Sequence, residues 1–214
     1  MWEETRPHRR PILQWRSSAK TVAVHSREID AETLDACRRG DRDAFRVLYE
    51  TYKDRVYSIA LYFFHGDTTP ASDVTQQVFM KLITGIAQFR GDSGLSTWLY
   101  RLVVNACIDG QRRSQSSGSA TDPAVLDALP GPSSQERTFV ETETRTSVQT
   151  AIASLPAKYR LAILLRYFDE LSYEEMAAAL NCSIGTVSSR LNRAHRLLAG
   201  RLAPLRASAR LREE

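Results

Sequence analysis

The chain has 214 residues, 43% of them hydrophobic, and a formal net charge of +4. That is enough apolar material for a buried core, in one ordinary domain or two small ones. Its three cysteines, Cys37, Cys107 and Cys182, are odd in number, far apart and without C-x-x-C pairing, which argues against a structural zinc site or dithiol motif and for a reducing, cytoplasmic setting.

Residues 1–30 scatter Arg, Pro and Ser without a sustained period and read as a flexible extension. No apolar run there is long enough for a signal peptide, and no later one approaches a membrane span, so no membrane contact is expected. From Asp41, Phe45, Leu48, Tyr49, Tyr52, Val56, Ile59, Ala60 and Phe63 recur at steps of three and four, the period of an amphipathic helix. Gly66 and Asp67 break it. Thr69 and Pro70 form a cap and first-turn pair for a second helix that carries Ala71, Val74, Val78 and Leu82 inward. A third helix starts near Ser96, with Leu99, Leu102, Val103 and Ala106 on its buried side.

Between Ser114 and Ser134 the helical period gives way to "SQSSGSATDPAVLDALPGPSS", a linker rich in Ser, Gly and Pro. Across Ser114 to Ser147, Asp122, Asp127, Glu136, Glu141 and Glu143 stand against two Arg, so the connector is locally acidic. A helix from about Glu136 leads to Pro156, and Leu161, Leu164, Leu165 and Phe168 resume the core pattern. Strand-like alternation and solenoid repeats are absent from the sequence, so the fold class is all-α: two small helical domains joined by a flexible linker.

The C-terminal pattern is the most specific. Ser172 with Glu175 three residues on is a capping box, Asn181 suits a left-handed turn position, and Ser183 caps the stretch "SIGTVSSRLNRAHRLL". In that last helix Ile184, Val187, Leu191, Ala194 and Leu198 are expected to face a core. Gly185, Ser189, Asn192, Arg193 and Arg196 gather on the opposite side, with Thr186 near the helix start, to meet a partner. Two short helices, a tight turn and an outward row of hydroxyl, amide and guanidinium groups define a helix-turn-helix, whose second helix reads a DNA groove.

Two further faces carry unspent chemistry. Asp73, Gln76, Gln77 and Met80 gather on the outer side of the second helix, flanked by Phe79 and Ile83, mixing polar and apolar groups as a protein-binding face does. In "FRGDSGLSTWLYRLVVNACIDGQRR" a Gly-containing loop precedes a helix whose stripe reads Trp98, Arg101, Asn105, Asp109 and Arg112, suited to an unstacked nucleic-acid strand.

Together "DVTQQVFMKL", the segment from Phe89 to Arg113, and "LPAKYRLAILLRYFDELSYEEMAAALNCSIGTVSSRLNRA" closely resemble the extracytoplasmic-function (ECF) group of bacterial sigma factors, over roughly Asp41 to Leu202. The resemblance implies a region 2 domain over 31–113, a linker over 114–135, a region 4 domain over 136–202 and a tail over 203–214. By likeness, Asp73, Gln76, Gln77, Phe79 and Met80 dock on core RNA polymerase. Phe89, Arg90, Gly91, Ser93, Trp98, Arg101, Asn105 and Asp109 capture the melted non-template strand at the minus-ten element, and Arg112 and Arg113 hold the adjoining duplex. Ser183, Thr186, Ser188, Ser189, Asn192, Arg193 and Arg196 read the minus-thirty-five element. An anti-sigma factor is a further implied partner, and no cofactor or metal is implied. Two positions depart from the family's habit: Gln77 stands where Glu is frequent, and Ser188 where Lys or Arg is frequent. The competing reading is a helix-turn-helix regulator without sigma activity; an enzyme ranks below both, because His8, His25, His65 and His195 form no metal spacing and paired catalytic carboxylates do not stand out.

Overall fold

The computed structural model describes residues 28–91, 94–116 and 146–203, and their regular elements are all helical. The expected extension, linker and C-terminal tail, and Ser93, lie largely or wholly outside the described residues. Asp30 caps α1 (Ala31–Arg38) through a side-chain bond from the Thr33 N–H, and Asp41 caps α2 (Arg42–Phe63) by accepting from the Asp43 and Ala44 N–H groups at 2.8 and 2.9 Å. These carboxylates satisfy donors that the first helical turn leaves without partners. At the other end of α2, His65 and Gly66 both take positive φ, 60° and 87°, and reverse the chain.

The cap of α3 (Thr68–Gly85) is Asp67, not Thr69: its carboxylate accepts the Thr69 N–H at 3.0 Å. Thr69 and Pro70 therefore sit inside the first turn, where the proline's missing N–H costs no intrahelical bond. A short 3₁₀ turn, Ile86–Gln88, leads to α4 (Leu95–Ser116), which runs past the position where the linker was expected to begin. After the linker come α5 over 146–153, α6 (Ala157–Tyr167), α7 (Tyr173–Ala179) and α8 (Ile184–Arg201).

Ala71, Val74, Val78 and Leu82 are buried as their spacing predicts, and so are Leu99, Val103 and Ala106. Leu102, Phe168 and Leu198 are only partly buried. Gly110 is required by the α3–α4 crossing: a Cβ there would lie 2.9 Å from Phe64 Cζ and 3.3 Å from Val74 Cγ2. Three apolar positions reverse the expected pattern. Phe79 is 5% exposed, whereas Tyr49 is 43% exposed and packs edge-on against the Phe79 ring, 4.7 Å between centroids. Ile184, assigned to the core side of α8, is 47% exposed as the first residue of that helix.

The helices on either side of the linker pack together, α6 on α2 and α7 on α4, in one continuous apolar cluster. Arg160 of α6 is buried in this junction. Its guanidinium donates to the Phe63 carbonyl at the end of α2, and to the Ala153 and Leu155 carbonyls at 2.5 and 2.8 Å. Burial pulls its pKa down to about 10, so it stays charged at neutral pH. Tyr62 and Phe168 add a tilted ring contact, and the Gln149 amide donates to the Tyr62 hydroxyl at 3.4 Å.

Candidate nucleic-acid and polymerase interfaces

The turn between α7 and α8 is built as its residues dictate. Ser172 accepts the Glu175 N–H at 3.1 Å while the Glu175 carboxylate accepts the Ser172 N–H at 2.7 Å, a complete capping box. Asn181 takes φ 47°, and Ser183 caps α8 by accepting the Thr186 N–H at 3.2 Å. Val187, Leu191 and Ala194 are buried against α6 and α7, which fixes the rotation of α8. Asn192, Arg193 and Arg196 consequently face solvent, without a hydrogen bond or ion pair to any described residue.

The hydroxyls near the start of α8 are differently placed. Ser183 also bonds the Thr186 hydroxyl at 2.9 Å, and Ser189 donates back to the Thr186 carbonyl at 2.9 Å. Ser188 is half-buried. The free hydrogen-bonding groups of this face are therefore the later ones, Asn192, Arg193 and Arg196.

On α4 the stripe Trp98, Arg101, Asn105, Asp109 and Arg112 follows one side of the helix, and Asn105 is open to solvent. Trp98 is half-buried and stacks on Phe89, centroids 5.2 Å apart and planes 24° from parallel. Arg38 holds this pair from α1, donating to the Phe89 carbonyl at 2.9 Å and lying 5.8 Å from the ring centroid. Arg90 and Gly91 are exposed just beyond it, with Gly91 at φ 80°. Arg101 Nε donates to the Ala178 carbonyl at 3.2 Å, so α7 covers part of the stripe. Asp109 pairs loosely with Arg112 at 3.9 Å, and Arg113 donates to the Gln77 side chain at 3.3 Å, tying the end of this stripe to α3.

The outer face of α3 presents Asp73, Gln76 and Met80, joined by Ile83; Met80 is 60% exposed. Phe79 is corrected out of this face: it fills the α2–α3 seam, and Tyr49 with Val47 takes the exposed place beside it. Gln77 is half-buried on the Arg113 side. Ile83 is exposed as the sequence reading expected, whereas Val47, Tyr49 and Ile184 escaped it, because helical periodicity placed Tyr49 and Ile184 inward and left Val47 at the stripe's margin.

Among the described residues, three or more His, Cys, Asp or Glu nowhere gather to hold a metal ion, and no helix is long and apolar enough to cross a membrane. Burial pushes the Cys107 thiol up to about 12, far from a reactive thiolate, and that of Cys37 upward as well.

A helix-turn-helix with an exposed basic face, packed against a second helical module, defines a DNA-binding transcription protein. The chain belongs to the sigma-70 family of RNA polymerase sigma factors, in its ECF group. The family profiles described as Sigma-70 region 2 and Sigma-70 region 4 match residues 48–117 and 145–198. The RNA polymerase sigma-H factor of Pseudomonas aeruginosa is 35% identical over 188 residues, 84% of this chain and 97% of the relative. The ECF RNA polymerase sigma-E factor of Escherichia coli K12 is 35% identical over 184 residues, 82% and 95% of the two chains. Among solved structures, the sigma factor RpoE of Bartonella quintana, in complex with the anti-sigma factor NepR, matches with TM-score 0.61 and 25% identity over 74% of this chain and 96% of that one. CnrH, solved with the cytosolic domain of CnrY, shares the fold with TM-score 0.60 over 81% of this chain and 96% of that one, at 21% identity. These matches leave no support for the regulator without sigma activity.

Proposed function

We propose a division of labour in which α3 binds core polymerase, α4 captures the opened strand and α8 reads duplex DNA. As a member of its family, the chain associates with core RNA polymerase and directs promoter-specific transcription initiation. The observation that carries the DNA assignment is the face of α8, where Asn192, Arg193 and Arg196 stand exposed on a helix whose rotation three buried residues lock. Arg pairs with phosphate or a guanine edge and Asn with adenine, so this face suits the minus-thirty-five major groove.

On the other module, Asn105 and the Phe89–Trp98 stack offer a hydrogen-bonding group and ring surface for a base drawn out of the duplex. Opening costs a few kcal/mol of unstacking per step, offset by stacking and a fitted pocket. Arg112 and Arg113 neutralise phosphates of the adjoining duplex. Asp73, Gln76, Met80 and Ile83 supply the polymerase face, with Gln77 at its edge. The chain works by binding, without a catalytic residue of its own, and acts in the cytoplasm, where polymerase and promoter meet. An anti-sigma factor is its expected antagonist, as RpoE has NepR. The acidic linker lies outside the described residues; its charge suits the positive channel of polymerase.

Core polymerase reconstituted with the purified chain should initiate at a defined set of start sites on genomic DNA. Arg193→Ala should weaken duplex binding by about tenfold and lessen its salt dependence. Failure to confer any specific start would sink the function; an unchanged affinity in the Arg193 variant would sink the groove assignment alone.

A further inference from the structure

The first turn of α8 holds two residues that the chain's own packing does not explain. Ile184 is 47% exposed, and it is missing from the apolar residues packed against the core, whereas Leu197 and Leu198 of the same helix are among them. Gly185 follows it inside the helix. A Cβ at Gly185 would meet nothing nearer than Ser183 Oγ at 3.9 Å, and the backbone there is not left-handed. Neither crowding nor φ requires glycine, yet glycine within a helix costs about 0.5–1 kcal/mol relative to alanine. A bare backbone beside an exposed aliphatic chain is a surface shaped for something outside the chain to press against.

The hydroxyls at this turn already make hydrogen bonds within it. Ser183, Thr186 and Ser189 bond one another or the helix backbone. What the turn offers is the branched side chain of Ile184. In a major groove, the N-terminal turn of a recognition helix meets base edges, and the apolar group presented there is the thymine 5-methyl.

We propose that Ile184 is a specificity-determining residue that reads the 5-methyl group of one thymine in the minus-thirty-five element, with Gly185 allowing the helix start to approach closely. The inference rests on the assignment of α8 to that groove. It divides recognition along the helix: an apolar, methyl-reading start, and a hydrogen-bonding stretch through Asn192, Arg193 and Arg196.

The test uses holoenzyme reconstituted from core polymerase and the full chain, on a promoter selected by its own transcription. Each thymidine of the minus-thirty-five element is replaced in turn by deoxyuridine, which removes only the methyl group. Wild-type holoenzyme should lose about fourfold in affinity at one position, the worth of one buried methyl. Ile184→Ala holoenzyme should bind the parent promoter about fourfold more weakly and be indifferent to deoxyuridine at that position. Because Ile184 is exposed, the variant should fold, and equal circular dichroism and melting temperature confirm it. Wild-type indifference to every deoxyuridine, or a deoxyuridine loss that persists undiminished in Ile184→Ala, would overturn the inference. Neither result touches the groove assignment, which the Arg193 variant tests independently.

Discussion

The Asp169 carboxyl, in the turn between α6 and α7, faces the Tyr100 hydroxyl on α4, and each perturbs the other's ionisation. Arg55 of α2 faces the same pair, and Asp169 Oδ2 is buried without a hydrogen-bond partner. The contact thus joins the turn that precedes the helix-turn-helix to both long helices of the other module. Desolvation outweighs the opposing influences of Tyr100 and the Arg55 charge and pushes the Asp169 pKa up to about 6.

The sign of the pH effect follows from that direction. An acid whose pKa is about 6 when folded and 3.8 when unfolded takes up its proton more readily in the folded chain, so its contribution to stability is greatest below about pH 4 and is lost as pH rises through 6. His65 and His195, whose pKa values burial lowers, act in the opposite sense as pH falls below 6.5. Comparison with Asp169→Asn isolates the carboxyl. The variant should melt several degrees above wild type at pH 7.5, with the gap closing towards pH 4.5. Parallel melting curves across that range would show that Asp169 is not the responsible group.

Arg160 should be the costliest single truncation at the junction. Arg160→Ala leaves the Phe63, Ala153 and Leu155 carbonyls without their shared donor and opens a void beside the Phe63 ring, which the guanidinium overlies at 5.3 Å. Loss of a charged, buried donor of this kind costs about 3 kcal/mol or more. Urea denaturation should show a lowered midpoint; a change below about 1 kcal/mol would mean that water replaces the guanidinium with ease.

Gly110→Ala opposes two effects of known sign. Alanine raises helix propensity by up to about 1 kcal/mol, while its methyl must enter space 2.9 Å from Phe64 Cζ. Overpacking of a closed helix crossing costs about 1–3 kcal/mol, so net destabilisation should appear in urea denaturation. Stabilisation would indicate that the Phe64 ring yields freely.

These three sites show where sequence reading stops. Ser172, Glu175, Asn181 and Ser183 were legible because a cap or turn is decided by residues within four positions of each other. The same local logic chose Thr69 over Asp67, since both are good caps and only the backbone decides between them. The Tyr49–Phe79 exchange depends on how α2 meets α3, and the approach of Asp169 to Tyr100 on how α7 meets α4. Such contacts join residues far apart in the chain, and no period within one helix encodes them. Ile184 was misplaced for a related reason, because periodicity within the helix does not register where the neighbouring helices stop covering its first turn.

Asn105 gives the sharpest test of strand capture. Its side chain is exposed on α4, one turn beyond Arg101, while the polymerase face lies on α3. Asn105→Ala should therefore leave the affinity for core polymerase within about twofold and duplex binding by α8 intact. It should lower open-complex formation by about tenfold, the loss expected when an extruded base forfeits a hydrogen bond in a confined site. Permanganate footprinting of unpaired thymines at the minus-ten element reads the opening directly. A premelted promoter, mismatched across that element, separates the two costs: if Asn105 holds the flipped base, the variant binds the premelted template more weakly as well. Full rescue by premelting would instead assign Asn105 to duplex opening, and equal loss of polymerase affinity would remove it from the DNA site altogether.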